Sequence, residues 1–205
     1  MATVVAMDTT QPTPRLPICV YMAARHGARP VYTEAARGLG GALVEHGCDL
    51  IYGGGSVGLM GEVADAVLAG GHRVTGIITE HLHEREVGHQ ELSKLVVVPD
   101  MQSRKKEMFE RSAGFIILPG GLGTMEELFE VWCWAVLGLH PKPIGIVNTD
   151  SYYDDLLRFL ERSIRDDLLS PEALRMIHVS PDPDKVVSSV VAATNSVVAA
   201  ADDTA

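Results

Sequence analysis

The stretch Gly114-Phe-Ile-Ile-Leu-Pro-Gly-Gly-Leu-Gly-Thr-Met-Glu-Glu127 contains an apolar run, a glycine-rich turn and the start of a segment with helical periodicity. Its run Gly114–Leu118 is continuously apolar, as in a strand buried on both faces of a parallel sheet. The same order of run, turn and helical segment recurs along the chain from Pro17. This alternation implies right-handed crossovers. It predicts an α/β fold, a single-domain Rossmann-like doubly wound parallel sheet flanked by helices.

The pattern predicts elements along most of the chain. The predicted strands are residues 18–23, 49–52, 74–78, 94–98, 114–118, 144–147 and 176–179. The predicted helices are residues 31–46, 58–70, 101–112, 123–138, 152–168 and 186–198. We interpret the Thr- and Pro-rich residues 1–16 as a flexible N-terminal arm. Residues 17–200 then form one domain, and residues 201–205 a tail.

The composition indicates a globular protein in solution: 46% of the 205 residues are hydrophobic and 21% are charged. The formal net charge of -10 argues against non-specific nucleic-acid binding, which relies on a basic face. No apolar stretch reaches the ~20 residues of a membrane-spanning helix. The three cysteines show no zinc-binding spacing and fit a reducing compartment. We therefore expect a cytoplasmic protein without nucleic-acid or membrane partners.

A first glycine-rich loop, residues 53–61, follows the predicted strand 49–52. Glycines there allow the backbone to approach a ligand closely, and the helix that begins near Gly58 directs free N–H groups toward the loop. The loop lacks the Lys-Ser/Thr pair of a Walker motif. Taken alone, it is also compatible with a tight turn that binds nothing.

The second glycine-rich loop, residues 119–124, follows the strand 114–118 in the same way. Thr124 is placed to cap the next helix, and Glu126 and Glu127 fall in its first turn. A single carboxylate there is also explained by the helix dipole. Two such loops in one domain favour a ligand site, and we expect neighbouring parallel strands to bring both loops to one crevice.

A third element, Arg104 and Lys105, lies early in the predicted helix 101–112. Arginine binds phosphate with a two-pronged fork, and lysine acts as a compact charge; a solvated basic face is the alternative. With the glycine loops, these residues indicate a site for a phosphate-bearing ligand, and a nucleoside monophosphate fits. The carboxylates suit cleavage of its N-glycosidic bond, which builds positive charge on the ribose.

Three motifs carry a resemblance to a known family. They are Gly53-Gly-Gly-Ser-Val-Gly-Leu-Met-Gly61, Arg104-Lys105-x-Glu107-Met108 and Pro119-Gly-Gly-x-Gly-Thr-x-Glu-Glu127. From about residue 18 to 179 the chain resembles the Lonely Guy (LOG) family of cytokinin riboside 5'-monophosphate phosphoribohydrolases, often mislabelled as lysine decarboxylases. The resemblance implies hydrolysis of cytokinin riboside 5'-monophosphates, with AMP as a second candidate substrate, to free base and ribose 5-phosphate. It also implies no metal or organic cofactor, and a homodimer.

By position, the resemblance implies catalytic roles for Arg104, Glu126 and Glu127. It also implies substrate contacts from the glycine loops, the third element and the segment near residue 86. These contacts are Gly54, Gly55, Ser56, Met60, Glu86, Arg104, Lys105, Gly120, Gly121, Leu122, Gly123, Thr124 and Glu126. Which of Glu126 and Glu127 faces the ribose stays open, because adjacent helical residues point about 100° apart.

One loop departs from the family pattern. Where the family usually carries Gly-Ser-Ser, this chain has Met22-Ala-Ala-Arg25-His26-Gly27. The loop should border the nucleotide, so Arg25 is either a phosphate or base contact or an exposed loop arginine.

Two other functions remain to be weighed. A nucleotide carrier or sensor would use the glycine loops without turnover. A pyridoxal decarboxylase needs a Schiff-base lysine with a cofactor partner, and among the lysines only Lys105 lies in a motif. The helix after Val131 is apolar on every face, which indicates a subunit interface.

Overall fold

The computed structural model describes residues 15–85 and 88–202. Its strands are β1 Leu16–Tyr21, β2 Cys48–Tyr52, β3 Val74–Thr79, β4 Lys94–Val98, β5 Gly114–Ile117, β6 Ile144–Val147 and β7 Ile177–Ser180. Its α-helices are α1 Pro30–Glu45, α2 Gly58–Ala69, α3 Glu80–Arg85, α4 Met101–Glu110, α5 Leu122–Val136, α6 Asp154–Arg165, α7 Pro171–Arg175 and α8 Pro183–Asp202. A 3₁₀ turn spans Thr149–Ser151.

The strands form one parallel sheet in the order β4-β3-β2-β1-β5-β6-β7. In the centre, Ile18 of β1 is in register with Leu50 of β2 on one side and Gly114 of β5 on the other. The strand order reverses between β1 and β5. Doubly wound sheets bind ligands at such a reversal, in the crevice outside the carboxyl ends of the strands. The predicted Rossmann-like α/β fold is confirmed.

The topology corrects one expectation about the glycine loops. They follow β2 and β5, which are not neighbours, because β1 lies between them. The loop after β1, residues 22–29, therefore lies between the two glycine loops. This is the segment in which the sequence departs from the family pattern.

The core lies on both faces of the sheet, as continuous apolar strands require. Alternate residues of β1 point to opposite faces. Ile18 and Val20 join a cluster that includes residues of α1, α2 and α8. Cys19 and Tyr21 join another that includes residues of α4, α5 and α6. Both clusters support the carboxyl edge of the central strands.

Local capping chemistry explains where the helices differ from prediction. The predicted helix 152–168 spans only Asp154–Arg165. Its predicted end is not reached because Asp167 has a φ of 59°, a left-handed conformation that interrupts a helix. The short helices α3 and α7 were not predicted. Helix α7 begins where the Ser170 side chain accepts a hydrogen bond from the Ala173 amide and Pro171 takes the first position.

The ends of the chain lie partly outside the described residues. Residues 1–14 of the predicted arm and 203–205 of the predicted tail are not described. Strand β1 begins at Leu16, and α8 continues to Asp202. Among residues 15–85 and 88–202, no helix combines the length and apolar character needed to cross a bilayer.

Candidate active site

A cleft of about 330 Å³ opens at the carboxyl edge of the sheet. Its walls come from the loop after β1, from α2, α3 and α4, and from the start of α5. The lining residues are Met22, Ala23, Ala24, Arg25, Met60, Leu82, Arg104, Gly121, Gly123, Thr124 and Glu127. Six of the residues predicted from sequence therefore share one cleft: Met60, Arg104, Gly121, Gly123, Thr124 and Glu127.

Arg104 is held rigidly within this cleft. Its Nε donates to the Ile77 carbonyl at 2.9 Å, and its Nη2 donates to the Gly53 carbonyl at 3.3 Å. A Cβ on Gly53 would lie 2.2 Å from Nη2, so a side chain at this position would displace the guanidinium. The Asp100 carboxylate caps α4 by accepting a hydrogen bond from the Ser103 amide at 2.7 Å. The first glycine loop thus positions the arginine.

Glu127 is the carboxylate that faces the cleft. Its side chain is only 13% exposed, and its Oε1 lies 3.7 Å from Nη1 of Arg104. Burial raises the pKa of Glu127 to about 7, against the opposing charge of Arg104. A carboxyl group with such a pKa exchanges protons near neutrality, as general acid–base catalysis requires.

Glu126 points the other way, toward the outer surface of α5. It is 55% exposed and pairs with the ammonium group of Lys105. The Lys105 Nζ also donates to Glu130 Oε1 at 2.9 Å. Of the two adjacent carboxylates, the structure thus places Glu127, and not Glu126, in the lining of the cleft. It also places Lys105 and Glu126, predicted as substrate contacts, outside the cleft lining.

The β5–α5 loop is fixed from two sides. The hydroxyls of Tyr152 and Tyr153 donate to the carbonyls of Gly120 and Leu118, each at 2.7 Å. From the other side, the Ala23 amide donates to the Pro119 carbonyl at 3.2 Å. In the sequence, the two tyrosines are visible only as an adjacent pair after a predicted strand. Their hydrogen bonds to the β5–α5 loop could not be predicted from it.

Thr124 and Gly120 are packed against each other at the start of α5. A Cβ on Gly120 would lie 2.0 Å from the Thr124 hydroxyl. The prediction that Thr124 caps α5 is wrong, because the capping residue is Gly121, without a side-chain hydrogen bond. Thr124 instead lies in the first turn and lines the cleft. The amides of this turn lack intrahelical partners, which favours an anion beside them.

Several other predicted contact residues do not line the cleft. Gly54 has φ +81° and packs against Ile78, and Gly55 forms an isolated bridge with Gly88; both glycines shape the loop that holds Arg104. Ser56 is also absent from the described lining. Leu122, the first residue of α5, faces solvent and is 91% exposed. Glu86 lies outside the described residues.

A smaller hollow of about 130 Å³ adjoins the cleft. The two share Ala23, Arg25 and Gly121. Tyr32 and Tyr152 pack edge to face, with ring centres 5.7 Å apart, and both line the hollow. Among the described residues, no three potential metal ligands lie together.

Fold and site together define a Rossmann-like α/β protein in which a helix start without a side-chain cap lies next to a hydrogen-bonded arginine and a buried carboxyl group. Comparisons with known proteins are consistent with this class. A family described as "Possible lysine decarboxylase" matches residues 60–190. A cytokinin riboside 5'-monophosphate phosphoribohydrolase of Arabidopsis thaliana is 46% identical over 170 residues, which are 83% of this chain and 78% of that protein.

A relative from Oryza sativa subsp. japonica, described as a "Probable cytokinin riboside 5'-monophosphate phosphoribohydrolase", is 43% identical over 84% of this chain and 71% of its own length. The chain therefore belongs to the LOG family. Among solved structures, a molybdenum cofactor binding protein of Rippkaea orientalis has a TM-score of 0.65 at 19% identity, covering 87% of this chain and 98% of that one. The carrier protein of Chlamydomonas reinhardtii has a TM-score of 0.60 at 19% identity, covering 91% and 99%. At this identity both show the fold alone.

Proposed function

We propose that this protein hydrolyses the N-glycosidic bond of cytokinin riboside 5'-monophosphates to free base and ribose 5-phosphate. The observation that carries the proposal is Glu127, a buried carboxyl group with a pKa of about 7, 3.7 Å from Arg104 in the cleft. Relatives at 43–46% identity carry the name of this activity. AMP, which shares the ribose phosphate, is a second candidate substrate.

The cleft supplies the parts that such a hydrolysis needs. As the bond to the base breaks, positive charge develops on the ribose, and the Glu127 carboxylate stabilises this charge and orients the attacking water. Arg104, fixed by two carbonyls, holds that carboxylate in place. The amides at the start of α5 bind the 5'-phosphate, which supplies binding energy remote from the reacting carbon.

The alternatives fit the site less well. A carrier or sensor has no use for a carboxylate buried beside an anion site, since burial of that charge costs free energy. A Schiff-base lysine must be neutral to attack a carbonyl. Burial alone would lower the pKa of Lys105, but its hydrogen bonds with Glu126 and Glu130 raise the pKa above its ordinary value. This opposes the decarboxylase function.

The test is chromatography of the products formed from isopentenyladenosine monophosphate, AMP and the two unphosphorylated ribosides. We expect free base from the monophosphates with wild-type protein, and severe loss with Arg104→Ala. If the monophosphates bind but stay intact, the hydrolase proposal fails and the carrier or sensor function replaces it. Bound pyridoxal, visible in an absorbance scan, would instead favour the decarboxylase function.

We also propose that the protein is a homodimer. An apolar groove of about 180 Å³ lies between α5 and the helices α6 and α7, lined by Phe129, Trp132, Cys133, Val136, Leu160, Leu169 and Ala173. Just after the end of α5, Leu137 and Leu139 are also exposed, at 66% and 68%. Exposed apolar surface of this kind is typical of a subunit interface. Light scattering should give a mass about twice that of the 22.1 kDa chain. The variant Val136→Glu should instead have the mass of a single chain.

The proposed setting is the cytoplasm. Cys19, Cys48 and Cys133 are free thiols, which fits a reducing compartment. Burial raises the pKa of the Cys48 thiol to about 12, so this thiol stays protonated and unreactive. Fractionation of the source cells should recover the protein with cytoplasmic markers, and recovery elsewhere would refute the assignment.

A further inference from the structure

The loop after β1 has a fixed backbone. Because α2 starts close against it, a Cβ on Gly58 would lie 2.3 Å from the Arg25 nitrogen and 2.3 Å from the Ala24 carbonyl carbon. The Ala23 amide is hydrogen-bonded to the Pro119 carbonyl of the second glycine loop. The backbone of Arg25 is therefore positioned between the starts of α2 and α5.

The Arg25 side chain lies where the cleft and the hollow meet. Two arginines line these spaces, Arg25 and Arg104, and only Arg25 lines both. Arg104 is already committed to two carbonyls and to Glu127. Within the described residues, Arg25 forms no side-chain hydrogen bond or ion pair, whereas the nearby Arg29 pairs with Asp150. Its guanidinium group is thus available to a ligand.

We propose that Arg25 binds the 5'-phosphate of the substrate and selects phosphorylated over unphosphorylated ribosides. This inference rests on the proposed function. A phosphate monoester carries nearly two negative charges at neutral pH, and ionised Glu127 adds a third to the same cleft. Gly121, which caps α5, lines both spaces as Arg25 does. A phosphate there therefore meets the helix amides and the two-pronged guanidinium group together.

The assignment also gives a physical meaning to the sequence departure at residues 22–27. A guanidinium group brings a full positive charge and paired donors to a loop that lies between the two glycine loops. In a chain with a formal net charge of -10, a local cation offsets the repulsion that an anionic substrate would otherwise meet. Arg25 is then a specificity-determining residue, separate from the group that acts on the glycosidic bond.

The test compares Arg25→Gln and Arg25→Lys with the wild type, and with Arg158→Gln as a control that removes an exposed arginine on α6. Each protein is assayed on isopentenyladenosine monophosphate and on the matching riboside. For Arg25→Gln, the preference for the monophosphate in kcat/KM should fall about 10- to 100-fold, the range of a lost charged hydrogen bond. Arg25→Lys should recover part of it, and Arg158→Gln should match the wild type. Equal preference in Arg25→Gln and wild type would overturn the proposal.

Binding separates this inference from the failure of the proposed function. Calorimetry with AMP and with ribose 5-phosphate measures phosphate recognition without turnover. If the wild type binds these ligands but hydrolyses nothing, the hydrolase proposal fails, while a 10- to 100-fold weaker affinity in Arg25→Gln still supports the role of Arg25. Wild-type affinity in Arg25→Gln, or no binding by the wild type, contradicts it. Unchanged thermal melting of the variants shows that they fold.

Discussion

Three ion pairs connect α4 to α5, one inside the cleft and two outside it, and they use the adjacent residues Arg104 and Lys105 of α4. Arg104 and Glu127 meet inside the cleft, where both side chains are nearly buried. Lys105 meets Glu126 and Glu130 on the outer side, where Glu126 is more than half exposed. Burial raises the pKa of the inner carboxyl group, Glu127, to about 7. The two sides differ in solvent access. The buried pair Arg104–Glu127 is suited to acid–base catalysis, whereas the more exposed pair Lys105–Glu126 holds α4 and α5 together.

The largest expected difference between the two sides is catalytic. Glu127→Gln keeps the shape of the side chain but removes the titratable group, so kcat on the monophosphate should fall about 10²- to 10⁴-fold, the usual contribution of an acid–base residue. Glu126→Gln alters only an exposed ion pair, and its kcat should change less than about fivefold. Steady-state assays of both variants measure this. Equal losses in the two variants would remove the distinction between the two faces of α5.

A second difference should be seen in stability. Since the pKa of Glu127 rises from its ordinary 4.5 to about 7 in the folded protein, the folded state binds this proton more tightly than the unfolded state. Stability is therefore lost as the pH rises from about 4.5 to 7, by about 3 kcal/mol. Urea unfolding at several pH values should show Glu127→Gln gaining stability relative to wild type over this window. Parallel curves for the two proteins would place Glu127 in a solvated environment.

The smallest expected effect belongs to the outer pair. The variant Lys105→Met removes the ion-pair partner of Glu126, which is largely exposed, and of Glu130. It should lower the free energy of unfolding by about 1 kcal/mol. Because the Lys105 charge lowers the pKa of Glu127, its loss should also move the pH dependence of kcat to higher pH. Lys106→Met, on the exposed side of the same helix, is the matched control. A wild-type pH profile in Lys105→Met would mean that the outer pair does not influence the cleft.

The sequence predicted the sheet well because buried parallel strands leave an unambiguous apolar pattern. Gly114–Leu118 and the glycine turn after it identified the strand, the loop and the helix together. Strand order was not accessible in the same way, since β1 separates β2 from β5 through contacts distant in sequence. For this reason the position of residues 22–29 between the two glycine loops emerged only from the fold, although the family resemblance predicted that residues 22–27 border the nucleotide.

Side-chain direction limited the prediction of the site. Arg104 and Lys105, like Glu126 and Glu127, are neighbours of similar charge, and periodicity alone could not show which member of each pair faces inward. A sequence motif also does not show whether a residue contacts the ligand or holds in place another residue that does. Gly54 and Gly55, whose contact with the substrate stays a prediction, lie in the loop whose Gly53 carbonyl accepts a hydrogen bond from Arg104.

In the proposed reaction, burial beside Arg104 makes Glu127 the acid–base group of the cleft. Carboxyl-carbon NMR of protein labelled with ¹³C-glutamate measures this directly, as a titration of each glutamate in the wild type and in Glu127→Gln. We expect one resonance with a midpoint of about 7 that is missing from Glu127→Gln and present in Glu126→Gln. If every glutamate titrates at its ordinary pKa, or if the midpoint near 7 survives in Glu127→Gln, the claim is contradicted.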